Sequence, residues 1–77
     1  MTETDFVELV EAETGLPLDT ADLATGFDDL PGWDSVHLLK VLSALEAEHG
    51  ITLRIAQLLD AKSLGDLHAA ASAAVAA

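Results

Sequence analysis

Phe6, Leu9 and Val10 recur at i, i+3 and i+4, the spacing that lines up one face of a helix. This predicts a first helix over Glu3–Glu13. Thr2 and Asp5 have capping-box spacing at its start, and Gly15 stands where a left-handed residue ends a helix. A second helix is predicted over Ser35–His49, with Asp34 as N-cap and Gly50 after its end. On a helical wheel Leu38, Leu42 and Leu45 fall on one face, flanked by Val41. Val36, Leu39, Lys40, Ser43 and Ala47 lie toward the other side. Ile51–Leu53 reads as an extended connector. Arg54–Asp60 reads as a short helix with Leu58 and Leu59 inward. Ser63 and Asp66 repeat the capping-box spacing and open a last helix through Leu64, Leu67 and Ala71 to the alanine-rich end.

Leu16–Trp33, between the first two helices, is long for a connection in so small a chain. Such length points to function or to structure of its own. Leu16, Leu18, Leu23, Phe27, Leu30 and Trp33 are spaced along it as anchors, so it is expected to pack across the bundle end. Asp19–Leu23 reads as a short helical turn, and Pro31-Gly32 sets the turn into the second helix. The pattern predicts an all-α four-helix bundle, three longer helices and one short, as a single domain over residues 1–77. Its expected core is Phe6, Leu9, Val10, Leu38, Leu42, Leu45, Leu58, Leu64 and Leu67, with Phe27 from the loop.

Composition narrows what such a bundle can do. A chain of 77 residues buries only about 60% of its unfolded surface, which leaves room for one thin core. The absence of cysteine excludes disulfides, thiol catalysis and a Cys-based zinc site. Apolar residues make up 51% of the chain, too many for a disordered acidic tail. No apolar run approaches the ~20 residues that span a bilayer. The acidic start, Met-Thr-Glu-Thr-Asp, lacks the basic stretch of a signal peptide, so a cytoplasmic location is expected. Fourteen acids against Lys40, Arg54 and Lys62 give a net charge of −11. That charge repels nucleic acid and anionic membranes, and it attracts a basic protein surface.

The run Gly32-Trp33-Asp34-Ser35-Val36, leading into Leu38-Leu39-Lys40-Val41-Leu42, places a serine in the first turn of the second helix, directly after an aspartate. It resembles the Asp-Ser-Leu signature of the acyl carrier protein family, with Val36 in place of the usual leucine. Helix order, length and acidity extend the resemblance over nearly the whole chain. It implies a bundle of the acyl carrier type that is not itself an enzyme. It also implies that a phosphopantetheinyl transferase attaches 4′-phosphopantetheine from coenzyme A to Ser35. The cargo would be an acyl or aminoacyl group held as a thioester on that arm. A phosphate suits this position, because a helix N-terminus favours negative charge by about 0.3–1 kcal/mol at a surface.

The same resemblance makes the second helix the surface that partner enzymes read, with Asp34, Val36, Leu39, Lys40, Ser43 and Glu46 as contacts. Lys40 and Ala47 stand where carriers of fatty acid synthesis usually have acids. These departures, with the alanine-rich and lysine-poor composition, point to polyketide or nonribosomal peptide (antibiotic) biosynthesis. Acyltransferase, adenylating or ketosynthase-type enzymes would be the partners of a monomeric, freestanding carrier. A different class of reading is a small acidic helical adaptor that binds a basic partner without any covalent arm.

Other chemistry finds no support in the spacing. Ser35 and His37 lie roughly 200° apart around a helix, so Asp34, Ser35 and His37 do not compose a hydrolase site. No segment supplies an oxyanion hole. His37, His49 and His68 lack metal-site spacing, and no Asp-x-Asp-x-Asp-Gly calcium loop occurs. Like charges crowded on a compact fold repel one another, and salt screens them. The melting temperature is therefore expected to rise with sodium chloride, as followed by circular dichroism, and a flat response would show compensated charges.

Overall fold

Local rules at the helix ends set the element boundaries. The computed structural model describes residues 1–76, with side chains through residue 74. Four helices run as α1 (Glu3–Thr14), α2 (Ser35–His49), α3 (Ile55–Asp60) and α4 (Leu64–Ala76). The expected extension of the last helix reaches Ala76, and Ala77 lies outside the described residues. Thr2 Oγ1 accepts the Asp5 N–H at 3.1 Å, and the Asp5 carboxylate accepts the Thr2 N–H at 3.4 Å. This reciprocal box satisfies two donors that a helix start leaves open. At the other end of α1 the Gly15 N–H donates to the Glu11 carbonyl at 2.8 Å.

The long loop is structured. It contains two 3₁₀ turns, Thr20–Ala24 and Phe27–Asp29. The first is the turn expected at Asp19–Leu23, shifted by one residue. Asp19 caps it by accepting the Ala21 N–H at 2.9 Å, and Asp22 accepts the Asp19 N–H at 2.8 Å. The Glu11 carboxylate accepts the Leu18 N–H at 2.8 Å and ties the loop to α1. Farther along, Gly26 and Ser63 form an isolated antiparallel bridge, and the Phe27 N–H donates to the Lys62 carbonyl at 2.8 Å. The first turn of α4 then lies hard against the loop. A Cβ at Gly65 would sit 2.7 Å from the Leu23 carbonyl oxygen, so only glycine permits this approach.

The core collects Phe6, Val7, Leu9 and Val10 from α1, Leu23 and Leu30 from the loop, and Val41, Ala44 and Leu45 from α2. Ile51 from the following connector and Leu64, Leu67 and Ala71 from α4 complete it. No polar or charged residue is buried among the described residues. α1 packs chiefly on α2, and α4 lies against the first 3₁₀ turn.

Three expectations about this core are corrected. The inward face of α2 centres on Val41, Ala44 and Leu45, while Leu38 and Leu42 are half-buried on its shoulder. Small side chains at Val41 and Ala44 let α1 and α2 approach closely. Leu38 packs against the edge of the core, and Leu42 stands off it. Phe27 and Leu58 likewise pack against the edge without being fully buried. On α3 only Leu58 turns inward, since Leu59 is 74% exposed.

Deleting a buried leucine beyond Cβ costs about 2–5 kcal/mol when the cavity cannot collapse. Leu45→Ala should therefore lower stability by that amount in urea unfolding, and Leu42→Ala by clearly less. Equal losses would return Leu42 to the core.

Candidate functional site

The approach to α2 is built by a turn. Gly32 takes φ 78°, the left-handed region, and a Cβ there would lie 2.9 Å from Leu16 Cδ2. The expected Pro31-Gly32 turn is thus one whose left-handed conformation favours glycine, while the Leu16 side chain could shift to admit a Cβ. The Trp33 N–H donates back to the Leu30 carbonyl at 3.2 Å. Asp34 follows in extended conformation (φ −150°, ψ 178°) as the N-cap, and its carboxylate accepts the His37 N–H at 3.0 Å. The Leu38 N–H donates to the Asp34 carbonyl at 3.2 Å and starts the helical ladder. Ser35 is then the first residue of α2, and it is exposed.

The cap also sets the electrostatics. The Asp34 carboxyl is held below its ordinary value of 3.8, chiefly by the His37 N–H it accepts. The charges of His37 and Lys40 and the Val36 N–H add to this, and a desolvation effect opposes it. The same bond that caps α2 therefore favours the ionised carboxylate.

Beside the serine lies a group of rings. Phe27 and Trp33 stack almost parallel, with centroids 5.0 Å apart and planes at 5°. Trp33 meets His37 at 5.9 Å and 43°. The His37 Nδ1 atom is enclosed and has no hydrogen-bond partner. The sequence pattern marks Phe27 as a loop anchor and core residue, Trp33 as a loop anchor and His37 as lacking catalytic or metal-site spacing, and it does not bring the three together. A signal was present: two of the three aromatic side chains and a histidine fall between residues 27 and 37.

The face of α2 expected to be read by partners is open. Val36 is 56% and Leu39 63% exposed, and Lys40, Ser43 and Glu46 are exposed with them. Helical spacing gathers these five into one stripe leading away from Ser35, while Asp34 stands at its head. Ile55, at the start of α3, is 74% exposed and lies outside the core. His49 is exposed at the end of α2. His68 serves structure: its Nε2 lies 3.0 Å from the Met1 carbonyl, and its ring rests against Phe6 at 5.5 Å. Among the described residues no group of three or more His, Cys, Asp or Glu comes together to hold a metal. No described helix is long and apolar enough to cross a membrane.

Residues 4–71, which span this whole arrangement, match the family model described as "Phosphopantetheine attachment site". The chain belongs to that family and is an acyl carrier protein by class. No curated protein and no solved structure matches it. Members are non-catalytic carriers of covalent 4′-phosphopantetheine, and they interact with a phosphopantetheinyl transferase and other enzymes. The match thereby decides between the carrier and the armless adaptor. The residues suit such a group, because an exposed hydroxyl at a helix N-terminus accommodates a phosphodiester without burying its charge.

A carboxyl whose folded-state pKa is depressed contributes stability above its unfolded value and loses it as pH falls through the folded value. The Asp34 contribution should thus be present above about pH 3.8 and be lost as pH falls from there through the lowered folded value. An NMR titration of the Asp34 carboxyl should show its midpoint below 3.8. In Asp34→Asn the acid limb of the stability curve should be shallower, and an unaltered limb would remove the cap from the account.

Proposed function

We propose that Ser35 Oγ bears the phosphopantetheine and that residues 1–77 form one carrier domain that acts as a cytoplasmic acyl carrier. The observation that carries this reading is the place of Ser35 within the matched segment, exposed in the first turn of α2 beside its cap. The other serines are less suited. Ser63 is half-buried and accepts the Asp66 N–H at 3.2 Å. Ser72 is half-buried beside His68. Ser43 is exposed but lies in the middle of α2, where the backbone N–H groups are bonded within the helix.

In the modification Ser35 Oγ attacks the β-phosphorus of coenzyme A. The new phosphodiester forms as the pyrophosphate bond breaks, adenosine 3′,5′-bisphosphate leaves, and the hydroxyl proton passes to a base of the transferase. The carrier has only to present the oxygen, since a serine hydroxyl needs an external base to react. First-turn N–H groups and the helix dipole favour the charge placed there. Once attached, the arm supplies the thiol on which an acyl or aminoacyl group is held as a thioester.

Partners are proposed to be enzymes of polyketide or nonribosomal peptide assembly, of acyltransferase, adenylating or ketosynthase type. Asp34 and Glu46 would meet a basic patch on each, and Val36, Leu39 and Ser43 would make the close contact. Such a surface gives fast, steered and reversible docking. Lys40 interrupts the acids of the α2 stripe and is proposed to discriminate against enzymes of fatty acid synthesis.

Incubation with a phosphopantetheinyl transferase and coenzyme A should add one phosphopantetheinyl unit, read by intact mass. Ser35→Ala should abolish the gain and leave the melting temperature nearly unchanged, because Asp34 still caps the helix. Mass gain in the alanine variant would exclude Ser35.

A further inference from the structure

We propose that Trp33 and His37 clasp the segment carrying Ser35 and act as positioning residues for its modification. This rests on the assignment of the arm to Ser35. Trp33 stands two residues before the serine and His37 two after it. Their rings meet at 5.9 Å, so the segment is closed on itself. The Asp34 carboxylate accepting the His37 N–H at 3.0 Å closes it a second time. Ser35 and Val36 are exposed between these two closures.

The ring of His37 is not held by a polar bond at Nδ1, which is enclosed and unpartnered. That ring rests against Trp33 at 5.9 Å and 43°. Trp33 is held in turn by Phe27, stacked at 5.0 Å and 5°. The Phe27 N–H is bonded to the Lys62 carbonyl at 2.8 Å. The serine segment is thus seated, through three rings and one backbone bond, on the junction between α3 and α4.

Phosphoryl transfer needs the attacking oxygen in line with the phosphorus, and small misplacements are costly. A loosened segment lowers the fraction of encounters that are aligned, but it leaves the stripe Val36–Leu39–Ser43 available for binding. The signature of a positioning role is a loss in kcat with little change in KM.

The test compares Trp33→Ala, Trp33→Phe, His37→Ala and His37→Phe in the full chain. Modification is timed by intact mass with a transferase and coenzyme A, and amide hydrogen exchange is followed at Val36 and His37. The alanine variants should lose about tenfold in kcat, with KM close to wild type and faster exchange at both amides. The phenylalanine variants keep a ring and should recover most of each. His37 lies half-exposed on a helix, so its variants keep the fold, checked by circular dichroism, even where Trp33→Ala does not. Wild-type kcat and exchange in His37→Ala would overturn the clasp. So would equal KM defects in the alanine and phenylalanine variants, which would mean that the rings touch the enzyme directly. Failure of the Ser35 assignment looks different, because wild-type protein would be modified elsewhere or not at all. Exchange at the two amides then still decides the clasp.

Discussion

A backbone tie between the long first loop and the α3–α4 junction governs the layout of the molecule. It consists of the Gly26–Ser63 bridge and the bond from the Phe27 N–H to the Lys62 carbonyl. A connector of this length has many conformations to lose, and ordering it costs conformational entropy at every residue. The tie is one of several fixed points that offset the cost. Leu23 and Leu30 are buried on either side of it, and Glu11 holds the Leu18 N–H upstream. Gly65 allows α4 to close onto the Leu23 carbonyl, which brings the junction within reach of the loop. Because the loop is fixed at Phe27, the chain arrives at Gly32 with a defined direction. The α2 N-terminus then presents Ser35 in a defined place.

Charge and apolar burial are fully separated in this bundle. With no polar residue buried among those described, stabilisation comes from packing of Phe6, Val10, Leu45, Leu64 and Leu67 and from the caps. The acids are left to the surface, where they repel one another and create a negative field. That field acts at a distance. A field of this sign attracts basic surfaces in general, whereas Val36 and Leu39 are the large apolar side chains that α2 exposes. The α2 stripe mixes exposed apolar Val36 and Leu39 with Lys40, Ser43 and Glu46, and Asp34 stands at its head.

What could be read from the sequence follows the range of the interactions involved. Thr2, Asp5, Gly15, Asp34 and Gly50 act within one helical turn, so α1 and α2 were legible nearly to the residue. The Asp34-Ser35 start of α2 was legible for the same reason, being a run of adjacent residues. The rotation of α2 was not. Val36, Leu38, Leu39, Val41, Leu42, Ala44, Leu45 and Ala47 cover most of its circumference with apolar side chains. Periodicity then has no contrast to work with, and the choice of face falls to close approach against α1. Leu59 misled for a related reason: a helix as short as α3 shows too few residues to define a face. The Gly26–Ser63 bridge joins distant residues through backbone alone and leaves no trace in side-chain pattern. The ring stack left a trace, as a local concentration of aromatic residues, but its geometry depends on that unseen bridge.

Trp33 is the only tryptophan in the chain, there is no tyrosine, and Asp34 alone separates it from Ser35. Its half-buried indole lies between Phe27 and His37, in a setting that any rearrangement of the helix start would change. Indole emission shifts in wavelength and intensity with solvent access and with neighbouring rings. The fluorescence of the unlabelled protein is therefore a local signal from the approach to α2, undiluted by other fluorophores. Any event that rearranges the start of α2 can be followed in real time through it, with no dye attached.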